Sequence, residues 1–357
     1  MHADFLIIGA GVIGLSSALE LARRGARVTV LDKGGAGQES TWAGAGILSP
    51  LLPWQYPEAI NTLSEYSRAL YPAWCEALHA ASGVDPELRQ TGMLILPPFD
   101  ARAAEDWCER HAWRWALRPS REFLSHLGEE ELLWLPDLRQ ARNPRLIQAL
   151  KGAALAAGVR LVEHAQVSSL VAENGRVTKV MARGESHAAA AFVVAGGAWT
   201  GWIPGLEALR PRIFPVRGQI LLFRLPAGRL GSVVYGEGQY LVPRVDGHVL
   251  AGSTLEPVGF DKATTEAARR DILAFVQRVL PEVGETDLVM QWSGLRPGSP
   301  DNVPCIGRHP DYANLYLNGG HFRYGVTMAP GSARLLASLI HGEATPIPAS
   351  PYGLPGA

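Results

Sequence analysis

A glycine-rich turn near the start of the chain places the strongest constraint on its fold. Gly9, Gly11 and Gly14 follow an apolar run at residues 5–8 and begin a helix-forming stretch. Gly9 permits a tight turn, Gly11 lets the backbone approach a pyrophosphate, and Gly14 lets the helix pack against the strand. The free N–H groups at the start of such a helix favour phosphate oxygens. The spacing therefore predicts a strand–turn–helix unit that binds a dinucleotide.

The next strand and the loop after it narrow the choice of dinucleotide. Residues 26–31 read as a second strand, which is followed by Asp32, 18 residues after the last of the three glycines. An acid at this distance accepts hydrogen bonds from an adenosine ribose. The loop at residues 39–50 combines Ser40 and Thr41 with several Gly and Ala residues. A nicotinamide enzyme does not need such a loop, whereas small residues leave room beside a buried isoalloxazine ring, so we expect FAD.

Length and charge bound the class of protein. The chain has 357 residues and a formal net charge of −1. It is long enough for two packed domains or one large elaborated domain, and its charge gives no reason to expect nucleic acid or an anionic membrane as a partner. No apolar stretch approaches the ~18–20 residues of a membrane span. Residues 1–4 lead directly into an apolar strand without room for a signal peptide, so we expect a cytoplasmic protein.

The cysteines and histidines argue against disulfides and metals. Cys75, Cys108 and Cys305 are far apart and odd in number, which favours reduced thiols over a disulfide framework or a paired-cysteine metal site. The ten histidines include no pair at the spacing of a zinc helix. We therefore expect no metal.

The order of the predicted elements indicates an α/β chain that carries an inserted sheet. A long amphipathic helix is predicted at residues 55–82, whereas residues 212–256 alternate as short strands and are followed by a helix at 264–280. We expect a discontinuous Rossmann-like FAD-binding domain with an inserted antiparallel-sheet substrate domain. The predicted FAD-binding domain comprises residues 1–82, 142–212 and 291–357. The predicted substrate-binding domain comprises residues 83–141 and 213–290.

Two later segments resemble the opening turn, because each is a strand that ends in glycines or other small residues. Residues 191–200 read as a buried strand that ends in small residues, among them Gly196. Ligands lie at the carboxyl ends of parallel strands, so this segment should add a second glycine-rich edge near the dinucleotide. Residues 315–330 read as a strand, a glycine break and a helix, whose N-terminus should face an electron-rich part of the ligand.

Two other stretches are predicted from local pattern alone. Residues 128–134 read as a helical piece that contains Trp134, in a region with many tryptophans. Residues 292–301 read as a turn-rich loop, in which Arg296 stands among Gly and Pro residues.

Taken together, these motifs resemble the flavin-dependent D-amino-acid-oxidase superfamily over essentially the whole chain, and within it the glycine oxidases of the thiamine-pathway type. The dinucleotide motif is common to many families, but the later motifs are much more specific. The matching segments are residues 9–14 (Gly-Ala-Gly-Val-Ile-Gly), 40–46 (Ser-Thr-Trp-Ala-Gly-Ala-Gly), 240–244 (Tyr-Leu-Val-Pro-Arg), 294–298 (Gly-Leu-Arg-Pro-Gly) and 320–325 (Gly-His-Phe-Arg-Tyr-Gly).

The resemblance implies how a substrate is held. Tyr240 and Arg296 match the tyrosine and arginine that bind the substrate carboxylate in family members, and a guanidinium can make two parallel hydrogen bonds to it. Arg323 matches another arginine near the flavin edge. Ile47 and Leu255 are expected to narrow the pocket towards glycine-sized substrates. From the residues alone, a surface arginine, a packing tyrosine and a structural ion pair remain alternatives for Arg296, Tyr240 and Arg323.

The resemblance also implies which positions hold FAD. They follow the cofactor from its pyrophosphate and ribose to the flavin ring and its pyrimidine end. These positions are Gly9, Gly11, Val12, Ile13, Gly14, Asp32, Lys33, Ser40, Thr41, Ala45, Gly46, Ile47, Val167, Gly196, His321, Phe322, Arg323, Tyr324, Gly325, Val326 and Thr327.

The implied activity is the oxidative deamination of glycine and other small amines. A hydride leaves the α-carbon for flavin N5, the imine hydrolyses, and O2 takes the electrons to give hydrogen peroxide, so no acid–base side chain is required. The product would supply dehydroglycine for thiamine thiazole synthesis, and the enzyme would be a homo-oligomer. A D-amino-acid dehydrogenase that passes electrons to a quinone or partner protein, and a flavin-binding subunit of a hetero-oligomeric amine dehydrogenase, remain alternatives.

Two residues depart from the patterns of related enzymes. The sarcosine-oxidase branch attaches its flavin to a cysteine near the segment 294–298, but this segment has none, and Cys305 lies beyond it. We therefore expect non-covalent FAD. Tyr324 stands where family members often have Asn, which predicts an active-site entrance of different shape or polarity.

Overall fold

A computed structural model describes residues 3–127 and 130–354. The α-helices in these residues are α1 (Val12–Arg23), α2 (Ser40–Ala43), α3 (Glu58–Ser82), α4 (Ala101–Arg110), α5 (Asn143–Ala156), α6 (Glu266–Val279) and α7 (Gly325–His341). Short 3-10 helices are Pro53–Gln55, Ser120–Glu122, Ser125–Leu127, Gly197–Trp202, Glu207–Leu209, Glu285–Asp287, Pro300–Asn302 and Ser350–Tyr352. No helix in the described ranges has both the length and the apolar character needed to cross a membrane.

The strands form two large sheets and one short pair. In chain order they are β1 (Ala3–Ile8), β2 (Val28–Leu31), β3 (Arg89–Gln90), β4 (Met93–Ile95), β5 (Ala116–Pro119), β6 (Glu131–Leu135), β7 (Arg139–Gln140), β8 (Arg160–Val162), β9 (Val167–Glu173), β10 (Arg176–Ala182), β11 (Glu185–Val194), β12 (Phe214–Arg224), β13 (Val233–Gly236), β14 (Gln239–Pro243), β15 (His248–Gly252), β16 (Leu288–Gly298), β17 (Cys305–Arg308) and β18 (Leu315–Gly319). The short pair is β3 with β7.

The first sheet is the parallel frame that the opening motif predicts. Its order is β8-β2-β1-β11-β18-β17, parallel from β8 to β18, with β17 antiparallel at one edge and a β9–β10 hairpin attached to β11. Side chains alternate across β1: Ile7 joins an apolar cluster with α1, α3, α5 and α7, whereas Leu6 and Ile8 join a second cluster on the opposite face. Burial on both faces explains why this strand is a continuous apolar run.

The second sheet is largely antiparallel and has the order β16-β12-β15-β14-β13-β4-β6-β5. The pair β4 and β13 is its parallel exception. The expected α/β fold class, a Rossmann-like frame with an added sheet, is confirmed. The domain boundaries remain a prediction, and β16 crosses the one at residue 291, because Leu288–Gly298 pairs with β12 along nearly its whole length.

Two local predictions are wrong. The stretch 128–134 is not helical where it is described: residues 131–135 form β6, and residues 128 and 129 lie outside the described part of the chain. β6 pairs with both β4 and β5, and these cross-strand contacts override the local pattern. Residues 292–298 are likewise a strand and not a loop, because β12 supplies a pairing partner. Arg296 therefore projects from a sheet.

A buried arginine ties the second sheet to the loop that contains Ala45. Arg244, at the end of β14, is 8% exposed, and its guanidinium donates to the carbonyl oxygens of Ala45 (2.7 Å) and Ala141 (3.2 Å) and to the side chain of Gln140. Burial lowers the pKa of Arg244 to about 10, so the group stays charged at neutral pH. The segment that contains Ala45 is thus held in place by the second sheet.

Replacing this arginine should destabilise the protein. In Arg244→Met the buried acceptors at Ala45 and Ala141 lose their donors, and we expect the free energy of unfolding to fall by about 2–4 kcal/mol. Urea unfolding of the FAD-free protein measures this change. Arg224→Met, at an exposed position of β12, is the matched control and should change it by less than about 0.5 kcal/mol. Equal stability of the two variants would contradict the role of Arg244.

Candidate functional site

Two adjoining cavities form one elongated site. The turn cavity lies at the carboxyl ends of β1 and β2, and the junction cavity lies between the two sheets. Their empty volumes are ≈ 840 Å³ and ≈ 1100 Å³, part of which opens to solvent. The residues that line both cavities are Gly11, Ser40, Thr41, Ala195 and Gly197. A site of this size and shape suits a long ligand with chemically different ends.

The glycines of the opening turn make room for such a ligand. Gly9 has φ +108°, and a Cβ there would lie 2.3 Å from the carbonyl oxygen of Ala195. A Cβ on Gly14 would lie 1.9 Å from the carbonyl oxygen of Gly9, so this glycine allows the helix to pack and does not itself line a cavity. A Cβ on Gly11 would meet no atom closer than 3.4 Å, so the backbone of Gly11 faces open space at the start of α1. This arrangement fits a pyrophosphate close to the backbone.

Asp32 and Thr41 use part of their hydrogen-bonding capacity within the protein. The Asp32 carboxylate accepts from the N–H groups of Ala10 (2.6 Å) and Gly34 (2.8 Å). A carboxylate accepts about four hydrogen bonds, so capacity remains for a ribose that enters the turn cavity. Thr41 Oγ1 accepts from the N–H of Val12 at 3.0 Å and holds the first turn of α1 in place.

The outer side of the turn cavity is charged and aromatic. Lys33 lies with Nζ 3.0 Å from the ring centroid of Trp199 and pairs with Glu39 at 3.3 Å. Burial lowers the pKa of Lys33, although the Glu39 carboxylate opposes this shift. Val167 and Gly196 also line this cavity, as the sequence predicts.

The loop of residues 45–47 lines the junction cavity and is fixed from outside. Gly46 has φ +74°, and a Cβ there would lie 2.0 Å from the carbonyl oxygen of Ala141, so only glycine fits. Thr327, at the start of α7, donates from Oγ1 to the carbonyl oxygen of Ile47 at 3.0 Å and does not itself line the cavity. The loop therefore presents a small and rigid surface to a ligand.

Arg296 has no carboxylate partner among the residues of the described chain. Its Nη1 donates to the carbonyl oxygen of Thr254 at 3.0 Å, and its Nη2 donates to Ser253 Oγ at 2.6 Å. Burial lowers the pKa of Arg296 to about 10, the charge of Arg323 adds to this effect, and the hydroxyl of Tyr240 opposes it. Arg296 therefore remains a desolvated cation at neutral pH.

Arg323 adds a second positive charge to the same cavity. Its Nη2 is buried and makes no hydrogen bond within the described residues. Tyr324, 2% exposed, packs its ring edge-on against that of Tyr56, with centroids 5.2 Å apart, and burial raises its pKa well above the usual value. The lining of the junction cavity includes no Asp or Glu within the part of the chain that the structure describes. The cavity can therefore accept an anion.

Several residues that line the junction cavity are absent from the predicted site residues, and four of them bear on its chemistry. Asn143 Oδ1 and Asn318 Oδ1 are buried without a hydrogen-bond partner in the described chain, although both side chains donate through Nδ2. Ser253 holds Arg296, as described above. Gly218 lies under the same guanidinium, because a Cβ there would lie 2.2 Å from Arg296 Nη1 and Nη2. A glycine inside a buried strand is a sequence signal of close approach that identifies Gly218.

His321 and the cysteines supply no reactive group at neutral pH. His321 is 1% exposed, its Nε2 lies 2.8 Å from Ser332 Oγ, and burial lowers its pKa to about 3, so the ring is uncharged. The cysteines Cys75, Cys108 and Cys305 line neither cavity, and burial raises the pKa of each thiol. A covalent flavin–thioether has no candidate cysteine here.

The structure brings most of the predicted site residues together. Those that line one or both cavities are Gly9, Gly11, Val12, Ile13, Asp32, Lys33, Ser40, Thr41, Ala45, Gly46, Ile47, Val167, Gly196, Tyr240, Arg296, His321, Phe322, Arg323, Tyr324, Gly325 and Val326. Leu255 does not: it is 54% exposed and lines neither cavity. Its neighbours Thr254 and Glu256 bond inward, so alternation turns Leu255 outward, and its position does not support a role in narrowing the pocket.

The cavities fit FAD in shape and in chemistry. The turn cavity offers close backbone approach and an acid, and the junction cavity offers orphan amide oxygens at Asn143 and Asn318 beside small residues. A dinucleotide with a polar heterocycle at its far end satisfies these groups. The fold and the site thus define a dinucleotide-binding protein with a Rossmann-like frame.

Comparison with known proteins identifies the family. Residues 4–339 match the family described as FAD dependent oxidoreductase (DAO), and the chain belongs to it. The chain is 39% identical to the glycine oxidase of Pseudomonas putida, over 100% of this chain and 99% of that one. It is 35% identical to the bifunctional protein ThiO/ThiG of Synechocystis sp., over 95% of this chain and 51% of the relative. The crystal structure of glycine oxidase from Geobacillus kaustophilus superposes with a TM-score of 0.91 at 29% identity, covering 99% of this chain and 98% of that one.

These matches confirm the expected superfamily, the FAD cofactor and the enzymatic character of the protein. It is an FAD-dependent oxidoreductase. The roles of individual residues towards FAD and substrate remain predictions.

A single methyl group at Gly218 should disturb the site. In Gly218→Ala the new Cβ overlaps the guanidinium of Arg296, and we expect carboxylate binding to weaken at least about 30-fold, because one good charged contact is lost. Titration of the flavin spectrum with acetate or glycine under anaerobic conditions measures this. Gly231→Ala is the matched control, because a Cβ there meets nothing within 4 Å. Unchanged carboxylate affinity in Gly218→Ala would show that Arg296 does not hold the ligand.

Proposed function

We propose that this enzyme oxidises glycine and other small amines, such as sarcosine, D-alanine and small D-amino acids, with O2 as the electron acceptor. For glycine the overall reaction converts glycine, O2 and water to glyoxylate, ammonia and hydrogen peroxide. The observation that carries the proposal is the pair of guanidinium groups, Arg296 and Arg323, in a cavity whose described lining has no carboxylate. The full-length similarity to glycine oxidases supports the substrate class.

The substrate carboxylate binds between the two arginines and the hydroxyl of Tyr240. Two N–H groups of Arg296 are already used by Thr254 and Ser253, which fix the plane of its guanidinium. The buried Nη2 of Arg323 has no protein partner in the described chain and is free to donate to a ligand. A carboxylate supplies the missing acceptor and neutralises charge, which makes the contact strong in a desolvated cavity.

FAD would supply a hydride acceptor for the substrate α-carbon. The backbone at Gly9 and Gly11 and the carboxylate of Asp32 would hold its nucleotide half in the turn cavity. The loop 45–47 and the start of α7 would hold its ring, and the backbone N–H groups at the start of that helix would stabilise negative charge. Asn143 and Asn318 offer acceptor atoms to the donors of a polar ring.

The two arginines also act on the amino group of the substrate. Hydride loss needs a neutral amine, whose lone pair assists the departure of the hydride. Two nearby cations, without an Asp or Glu in the described lining of the junction cavity, disfavour an ammonium group, so the pKa of the bound amine should fall. The proton leaves to solvent without a side-chain base, because His321 is occupied by Ser332 and buried.

The metabolic role follows the resemblance to the thiamine-pathway glycine oxidases. We propose that the imine formed from glycine, dehydroglycine, is supplied for thiazole synthesis. The similarity to the bifunctional protein ThiO/ThiG of Synechocystis sp. supports this link.

The decisive experiment uses the yellow holoenzyme. It is titrated anaerobically with glycine, sarcosine and D-alanine while flavin bleaching is followed, and it is then exposed to air with a peroxide assay. We expect glycine to bleach the flavin and air to restore the colour with one peroxide per amine oxidised. Bleaching without peroxide on exposure to air, but with reoxidation by a quinone dye, would instead indicate a D-amino-acid dehydrogenase. No bleaching by any of these amines would overturn the proposal.

The arginine in β16 should control substrate affinity. In Arg296→Met we expect kcat/KM for glycine to fall at least about 100-fold, because a charged hydrogen-bonding partner of the carboxylate is lost. FAD content, measured from the absorbance of the purified protein, should stay unchanged. The exposed control Arg224→Met should retain wild-type kinetics. Wild-type affinity for glycine in Arg296→Met would show that the carboxylate binds elsewhere.

The pH dependence of kcat/KM should reflect the protonation of the substrate amine and of Arg296. The pKa of His321 is about 3 and that of Arg296 about 10, so neither group changes charge between pH 5 and pH 9. We expect kcat/KM for glycine to rise with pH as the amine loses its proton, and to fall above about pH 10 as Arg296 loses its charge. Steady-state assays from pH 5 to pH 10.5 measure the profile. A rising limb that disappears in His321→Asn would contradict the base-free mechanism.

A further inference from the structure

The segment of residues 253–263, which we call the strap, joins β15 to α6 and reaches both cavities. At its first residues, Ser253 Oγ and the Thr254 carbonyl oxygen accept from Arg296 in the junction cavity. At its far end, Lys262 Nζ pairs with Glu39 at 3.0 Å, and Glu39 lines the turn cavity. One stretch of chain from the second sheet therefore contacts residues that line both cavities.

An aromatic contact holds the strap against the turn cavity. The ring of Phe260 lies 5.3 Å from that of Trp199 and 4.8 Å from that of Trp202, measured between centroids, and the second pair is edge-on. Both indoles line the turn cavity. Lys33 Nζ lies over the ring of Trp199, at 3.0 Å. The outer wall of the cavity thus comes from the first sheet and is braced by one ring from the strap.

The rest of the strap is anchored by charged groups. Arg217, 4% exposed, binds Glu256 and also Asp261, the latter at 2.6 Å. Ser293 Oγ donates to the carbonyl oxygen of Lys262 at 2.6 Å. These contacts fix the strap to β12 and β16. Because Lys262 and Glu39 are partly exposed, their ion pair is screened, and the Phe260 ring contributes more to closure.

We propose that Trp199 and Trp202 bind the adenosine half of FAD, and that the strap is a latch that retains it, with Phe260 as the positioning residue. Both indoles line the turn cavity together with Asp32, where the ribose is expected, and aromatic side chains bind nucleobases. Phe260 holds both indoles in place, so loss of its ring should loosen this wall of the turn cavity and let the nucleotide leave faster. This inference depends on the proposed placement of FAD and not on the substrate.

Titration of the FAD-free protein with FAD tests the latch. In Phe260→Ala we expect the FAD dissociation constant to rise at least about tenfold, through a faster dissociation rate, because an aromatic brace is lost. Flavin fluorescence quenching gives the affinity, and a chase after dilution gives the dissociation rate. Phe260→Tyr, which keeps the ring, should bind FAD like the wild type, and Lys262→Ala should weaken binding by no more than about threefold.

Two controls separate the latch from loss of fold. Phe123→Ala removes an exposed ring that packs on Trp134 in the second sheet, away from both cavities, and should leave FAD affinity unchanged. Phe260 belongs to none of the buried apolar clusters, so the Tm of FAD-free Phe260→Ala should match that of the wild type. Wild-type FAD affinity in Phe260→Ala would overturn the inference. A weaker affinity together with a lower Tm of the FAD-free variant would also overturn it, because loss of fold would then explain the weaker binding. These measurements need no amine, so failure of glycine oxidation would leave them unaffected.

Discussion

The desolvated guanidinium of Arg296 is the constraint on which the site depends. A partly buried cation without a carboxylate is costly unless its N–H groups are satisfied, and here the oxygens of Ser253 and Thr254 satisfy two of them. The group fits only because Gly218 has no side chain. The second sheet thus supplies the charge, the oxygens that hold it and the space it occupies. The remaining positive potential is directed at the cavity, where Arg323 increases it.

The loop of residues 43–47 is the surface that the second sheet holds in place. Arg244 donates to one carbonyl of this loop, Trp292 Nε1 donates to another at 3.1 Å, and Thr327 donates to a third. These donors come from β14, β16 and α7, so both sheets must be assembled before the loop is fixed. The loop has small side chains, and hydrogen bonds to its carbonyl oxygens make it a rigid wall of the cavity. A rigid wall loses little conformational entropy when a ligand binds.

The parts of this protein that local chemistry specifies were predictable. The spacing of Gly9, Gly11 and Gly14 requires a tight turn and close helix packing, and the fold class and FAD followed from it together with the resemblance. Strand β6 was not predictable, because its neighbours β4 and β5 determine it. The same holds for the strand that carries Arg296. Leu255 was placed by family position, but alternation along the strap directs it outward.

The sequence by itself determined that the chain binds a dinucleotide. Through the resemblance it also predicts a carboxylate site at Tyr240 and Arg296, with Arg323 near the flavin edge. Local sterics and spacing carry that information, because a turn of glycines has few other conformations. Only the tertiary structure decided what surrounds these groups. The junction cavity has no acid in its described lining, a glycine lies beneath Arg296, and the strap contacts residues of both cavities. All three features arise from contacts between residues far apart in the chain. Charge burial and close packing depend on such contacts, which no local pattern contains.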